Sequence, residues 1–241
     1  FSEYMYILPG TYVWQVPKDM PSSVASLLDP IAVAMRAVEL AWRSPGVLED
    51  VLNPASVALI IGDGQIGALT AGCLRMLGVS KILIAGGRTE RLKVAQEISN
   101  ADCILNYHTQ SLEERKEIIG SYTGGAGADV VFQCVGNGRA FRDGIELMRS
   151  VGTLVEVGNI ASTSPIEFDP ARDLCSKHAT YIGMSVNTPM AFNKAFHMLC
   201  KYKELHLEKL LTNRCTLDTV LETMMNSSDP NYIKGWVDLE K

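Results

Sequence analysis

From residue 57 onward the chain alternates short apolar runs with helical stretches, six runs in succession. The runs cover 57–62, 81–85, 103–107, 129–135, 153–157 and 180–184, and helical patterns at 66–77, 90–99, 112–119 and 139–149 separate the first five. Most runs are apolar at nearly every position rather than at every second one, which marks strands covered on both faces. Such alternation predicts a doubly wound α/β domain, a six-stranded parallel sheet of the Rossmann type. Ser111, with Glu114 three residues on, reads as a capping box at a helix start. Gly78 and Gly120 stand where helix C-termini call for a left-handed residue.

The flanks follow another pattern. Residues 1–30 carry two β-rich pieces, 4–8 and 12–16, interrupted by Pro9, Pro17, Pro21 and Pro30, and 29–43 then reads as a helix. After Ser185 come two helices, about 190–204 and 217–226, and a last strand near 236–239. Neither flank alone could bury much surface. The expected division is 1–33 as the end of one domain, 34–185 as the dinucleotide-binding domain, and 186–241 as a return to the first.

Composition excludes several classes. With 47% apolar and 20% charged residues the 241-residue chain is an ordinary folded protein rather than a disordered one. A net charge of −5 leaves no basic footprint for nucleic acid or an anionic membrane. The apolar runs fall far short of the roughly 20 residues that span a bilayer. No signal peptide follows Phe1, and a chain opening Phe1-Ser-Glu-Tyr in a β-rich piece reads as part of a longer one. Cys73, Cys103, Cys134, Cys175, Cys200 and Cys215 show no redox-pair or zinc-knuckle spacing. They read as mostly buried free thiols of a reducing, cytoplasmic compartment. His108, His178, His197 and His206 form no metal-binding spacing.

The chemistry-bearing motif follows the first apolar run: Gly62-Asp63-Gly64-Gln65-Ile66-Gly67, a G-x-G-x-x-G between strand and helix. Gly62 allows the tight turn, Gly64 lets the backbone approach a pyrophosphate, and Gly67 lets helix and strand pack closely. The amides of Gln65 and Ile66, at the positive end of the helix dipole, suit phosphate. Dinucleotide binding is the expectation; a methyltransferase with a related loop, or a plain glycine turn, are the other readings. The second run ends Ala85-Gly86-Gly87-Arg88, with no carboxylate at its tip to receive a ribose 2′-hydroxyl. Arg88 offers a fork of donors for a 2′-phosphate, so NADP(H) is expected over NAD(H), with Glu90 the nearby residue that argues the other way. Two further loops, Cys134-Val135-Gly136-Asn137 and Val157-Gly158-Asn159, sit at strand C-termini where a nicotinamide would lie.

These residues resemble the medium-chain dehydrogenase/reductases, most closely the zinc-type alcohol and polyol dehydrogenases. The resemblance rests on the glycine loop, on Arg91-Leu-Lys-Val-Ala95, on Gly127-Ala-Asp-Val-Val-Phe132 with Gly136 beyond, and on Gly152-Thr-Leu-Val-Glu-Val-Gly158. Phe1-Ser-Glu-Tyr and Val16-Pro-Lys-Asp match the end of that family's catalytic domain. The resemblance implies an N-terminal GroES-like barrel carrying Cys and Gly-His-Glu, which this sequence does not contain, so catalysis by these 241 residues alone is not expected. It implies hydride transfer between NADP(H) and a small alcohol, polyol or carbonyl compound, with Zn2+ in the complete enzyme. It places Tyr107 at a 2′-phosphate pocket and Asp29 among zinc ligands, although an Asp before Pro30 also suits a helix N-cap. It also implies pairing through the sixth strand, as a homodimer or homotetramer. The alternatives are a zinc-free quinone or enoyl reductase of the same family, and a non-catalytic nucleotide-binding module.

Overall fold

A computed structural model describes residues 2–43, 52–161 and 165–239; Phe1 lies outside them. The elements run α1 (Ser22–Ala25), α2 (Leu28–Arg43), β1 (Val57–Ile61), α3 (Gln65–Met76), β2 (Lys81–Gly86), α4 (Thr89–Ser99), β3 (Cys103–Asn106), α5 (Leu112–Thr123), β4 (Ala128–Gln133), α6 (Gly138–Leu147) and β5 (Met148–Glu156). A π-helical turn, Pro170–Cys175, leads to β6 (Thr180–Gly183), α7 (Pro189–Lys201), β7 (Asn213–Cys215), α8 (Val220–Met225) and β8 (Gly235–Val237). Six strands form one parallel sheet in the order β3-β2-β1-β4-β5-β6, and β7 pairs with β8 in a small second sheet.

The pleat explains the continuous apolar runs. In β1 every residue is buried, but neighbours face opposite layers. Ala58 and Ile60 join Ile82, Ile84, Val130, Phe132 and Val155 in a core covered by α2, α3 and α7. Val57, Leu59 and Ile61 join Leu83, Ala85, Val131 and Leu154 in a second core with Ile119 of α5 and Ile145 of α6. Each such buried aliphatic side chain contributes about 1.5–3 kcal/mol. α2 buries Pro30, Ile31, Ala34, Ala37, Val38 and Ala41 on one stripe against α3 and α7. The first backbone amide of β1, Val57 N–H, donates to Asp129 Oδ2 of β4 at 2.6 Å, tying the two central strands together at their start.

Local signals hold at α5. Ser111 Oγ accepts from Glu114 N–H at 3.2 Å, and Glu114 Oε2 accepts from Ser111 N–H at 2.7 Å. Gly78, at φ +88°, follows α3 as expected. Gly120 does not end α5: the helix continues to Thr123, and Gly124, at φ +62°, is the left-handed cap. The pieces at 4–8 and 12–16 form no strand; among the described residues they find no partner strand, and Tyr4 and Tyr6 are 89% and 84% exposed. β5 begins at Met148 rather than 153, because its first residue pairs with Ala128 before an irregularity in the register. The six cysteines are free, but only Cys73 and Cys215 are buried, and Cys175 is exposed.

A charged cluster holds the segment before β6 on α6. Asp173 is fully buried and accepts from both nitrogens of the Arg142 fork, at 2.6 and 3.0 Å, and from Arg172. Its main-chain carbonyl accepts from the Tyr181 hydroxyl of β6. These cations, Arg172 foremost and then Arg142, hold the Asp173 carboxyl well below the usual carboxylate range.

Candidate cofactor site

The C-terminal ends of β1, β2, β4 and β5 converge on one rim, and the glycine loop is its centre. Gly62 adopts φ +133°, which favours glycine, and its N–H donates to Ala85 O at 2.7 Å. A Cβ on Gly67 would stand 2.0 Å from the Gly62 carbonyl oxygen, so helix and strand are in direct backbone contact. Gly64 is the N-cap of α3, and a Cβ there would meet nothing within 4 Å. The amides of Gln65, Ile66 and Gly67 thus open on a clear space with the helix dipole behind them.

At the tip of β2 the structure corrects the sequence reading. A carboxylate is present there, supplied by the glycine loop. Asp63 Oδ2 accepts from Gly87 N–H at 2.9 Å and from Arg88 N–H at 2.7 Å. A Cβ on Gly86 would lie 2.5 Å from the Asp63 Cβ, so the glycine makes room for this carboxylate. The Tyr107 hydroxyl covers Gly87, where an added Cβ would approach it to 2.2 Å, and the His108 ring lies tilted against Tyr107, with centroids 4.4 Å apart. The Arg88 side chain has no hydrogen-bond or ion-pair partner among the described residues. Glu90 is exposed and paired with Lys93 at 3.0 Å.

The two remaining loops are pressed together beneath this rim. A Cβ on Gly158 would sit 2.3–2.5 Å from the Val135 backbone, and Gly62 packs against Cys134 and Val135. Val157 and Gly158 N–H donate to Gln133 O at 2.9 and 3.0 Å. Cys134 is half-buried, and desolvation of its thiol pushes it up to about 12. Gly136 is exposed, and Asn137 caps α6 through Arg139 N–H at 2.8 Å.

Two residues that the sequence reading passed over organise these loops. Gln133 is fully buried; its Nε2 donates to Val135 O at 2.7 Å and Asn137 O at 3.3 Å, and its Oε1 accepts from Val135 N–H. Glu156 Oε1 accepts from Asn159 N–H at 2.7 Å, and burial pushes its carboxyl above the usual range. Each is a polar residue near the end of a largely apolar run, the one signal that could have marked it. A cavity of about 340 Å3 opens between these loops and β2, lined by Ala85, Tyr107, His108, Val135, Asn137 and Arg139 among others.

Known proteins share this arrangement. The alcohol dehydrogenase of Thermotoga maritima superposes with a TM-score of 0.82 at 27% identity, over 92% of this chain and 59% of that one. L-threonine 3-dehydrogenase of Anaeromyxobacter dehalogenans is 27% identical over 168 residues, covering 70% of this chain and 44% of its own. D-xylulose reductase A of Aspergillus niger is 25% identical over 178 residues, 74% of this chain and 46% of its own. The family described as zinc-binding dehydrogenase matches residues 66–201, more than half of the chain. The chain belongs to the zinc-binding dehydrogenases. It corresponds to the C-terminal portion of the medium-chain type and spans about half the length of the curated relatives it matches.

Membership in the zinc-binding dehydrogenases implies two groups, a nicotinamide cofactor and zinc, and the residues can be tested for each. For the cofactor they fit. Gln65 Oε1 at the start of α3, Glu156 Oε2 at the end of β5 and Asn187 Oδ1 beyond β6 are buried acceptors with no hydrogen-bond partner among the described residues. All three belong to the C-terminal rim, where a ligand's hydroxyl and amide donors would complete them. For zinc the described residues do not fit by themselves. No group of three or more His, Cys, Asp and Glu side chains comes together among them, and a catalytic zinc takes three protein ligands. Asp29 lies exposed in the first turn of α2, one residue inside the helix rather than at its N-cap, and its Oδ1 accepts from Asn187 Nδ2 at 3.1 Å.

Proposed function

We propose that the chain is the cofactor-binding portion of a zinc-dependent oxidoreductase that passes a hydride between NADP(H) and an alcohol or polyol, or its carbonyl counterpart. The observation that carries the reading is the rim itself: a glycine loop open at Gly64, with three unpartnered buried acceptors on the elements around it. The nicotinamide, when bound, supplies the hydride chemistry. The chain's own residues bind and orient it. The amides of Gln65 and Ile66 receive the pyrophosphate. Tyr107, Gly87 and Arg88 flank the adenosine ribose, and the loops at Cys134–Gly136 and Val157–Asn159 fix the nicotinamide face. Gln133 and Glu156 hold those two loops in shape before the cofactor arrives, which lowers the ordering cost of binding. The names of the relatives, a threonine dehydrogenase, a xylulose reductase and an alcohol dehydrogenase, support a small hydroxyl- or carbonyl-bearing substrate. Asp29 stands as one zinc ligand; the others would come from outside the described residues.

NADPH is expected to bind more tightly than NADH, because Arg88 presents an uncommitted guanidinium beside the ribose site. Arg88→Ala should weaken NADPH by one or two charge-assisted hydrogen bonds, about 1.5–3 kcal/mol each, and leave NADH nearly as it was. Fluorescence titration with both cofactors checks this, and equal affinities in the parent protein would refute it.

We also propose pairing through β6, as a homodimer or as half of a homotetramer. β6 is an open edge of the sheet, and Thr180-Tyr-Ile-Gly183 carries no charge and no proline to guard it. Association about a two-fold axis would extend the sheet across the pair. Ile182→Lys should give a monomer by light scattering where the parent gives a dimer; a monomeric parent at high micromolar concentration would refute the interface.

A further inference from the structure

We propose that Asp63, inside the glycine loop, is a specificity-determining residue that opposes Arg88 and limits how far this pocket favours a 2′-phosphate over a 2′-hydroxyl. The inference rests on the dinucleotide reading above and adds a residue with the opposite sign.

Two successive backbone amides at the end of β2, Gly87 N–H and Arg88 N–H, point to one place. Consecutive amides of this kind form a concavity for an anion. In this chain the concavity is already filled by an internal anion, since Asp63 Oδ2 takes both donors. A 2′-phosphate at the β2 tip therefore finds the amides engaged and a fixed negative charge beside it. A ribose hydroxyl meets the same carboxylate as an acceptor, and Asp63 Oδ1 carries no hydrogen bond among the described residues. The arrangement does what an acidic residue at the end of β2 does in NAD-type pockets, but the carboxylate arrives from the neighbouring strand's loop. The pairing is built in from both sides, because any side chain at 86 would strike Asp63.

The cations nearby do not cancel this. The Arg91 guanidinium lies close enough to feel both Asp63 and Arg88. Its Nε and Nη2 donate to the carbonyls of Pro230 and Asp229, at 3.0 and 3.1 Å. The whole Arg88 fork is without a hydrogen-bond or ion-pair partner among the described residues. Attraction from Arg88 and repulsion from Asp63 thus act on the same phosphate, and the observed preference is their difference.

Asp63→Asn removes the charge and keeps a carbonyl oxygen for the two amides. The ratio of NADPH to NADH affinity, from fluorescence titration of the whole chain, should rise about tenfold, as for removal of one like charge in a partly solvated pocket. Asp63→Ser, which also retains an acceptor, should move the ratio the same way. A ratio that is unchanged or lowered in folded variants overturns the proposal and leaves the dinucleotide reading intact. Failure of both variants to fold, judged by circular dichroism, overturns it too, because Asp63 would then be a structural clasp. A parent protein that binds neither cofactor overturns the dinucleotide reading, and this inference with it.

Discussion

Gly67→Val should abolish useful dinucleotide binding, with affinity for NADPH falling on the order of 100-fold, about 2.7 kcal/mol. The cause is contact between main chains. The first atom of any side chain at 67 would meet the Gly62 carbonyl oxygen at 2.0 Å and its carbon at 2.9 Å, and neither can turn aside as a flexible side chain could. Relief requires α3 to move off β1, which drags the amides of Gln65 and Ile66 out of line and opens the core at Ala68 and Leu69. Stability should fall as well, by at least the about 1–3 kcal/mol usual for overpacking. Gly64→Ala separates the two effects. Its Cβ would meet nothing within 4 Å in the free protein, so the melting temperature should hold while binding weakens. Calorimetric titration alongside thermal melts checks both, and parent-like NADPH affinity in Gly67→Val would sink the assignment of the loop.

Asp173→Ala should be the most damaging change away from the rim, costing about 3 kcal/mol or more at neutral pH. Removing one member of a buried ion pair leaves its partner uncompensated, and here Arg142 loses both of its Asp173 contacts and is left, among the described residues, with Glu146. The pH dependence follows from the lowered carboxyl pKa. The stabilisation is fully present above the carboxyl's unfolded value, about 3.9, and is lost as pH falls through the lower folded value. The gap between parent and variant should therefore be widest near pH 7 and narrow in acid. Urea midpoints at pH 7 and pH 3 test this; equal midpoints at pH 7 would show that the cluster contributes nothing.

The architecture was legible because its strands are buried on both faces, so Val57 to Ile61 cannot be mistaken for an amphipathic edge. Ser111 and Glu114 marked a helix start because a capping box is entirely local. Gly120 misled because a glycine inside a helix and a glycine beyond its end look alike; which one turns left-handed depends on where the packing of Ile119 stops mattering. The pieces at 4–8 and 12–16 have β-rich composition, but a strand needs a partner, and composition does not reveal one. At the site, the glycines were readable because their spacing is itself the constraint. Asp63 was not. Its place at the end of β2 arises only once β1 and β2 lie side by side, with Ile61 opposite Ala85. Gln133 and Glu156 escaped for a related reason, since their partners are the backbone of the loops that follow them.

The strand order also governs how the chain arrives at this state. β1 meets β2 across a short crossover, Val57 to Lys81, but its other neighbour is supplied only after β2, β3 and three helices have been made, when Ala58 aligns with Val130. Until then β1 is the exposed rim of a three-stranded partial sheet, apolar on both faces and unpaired along its outer edge. Closing that gap is a long-range search with its entropy spent before any contact rewards it. A partly formed sheet of this kind is prone to stick to its own copies. The bond from the Val57 amide to the Asp129 carboxylate can form only when β4 closes this gap, so it marks the end of that exposure.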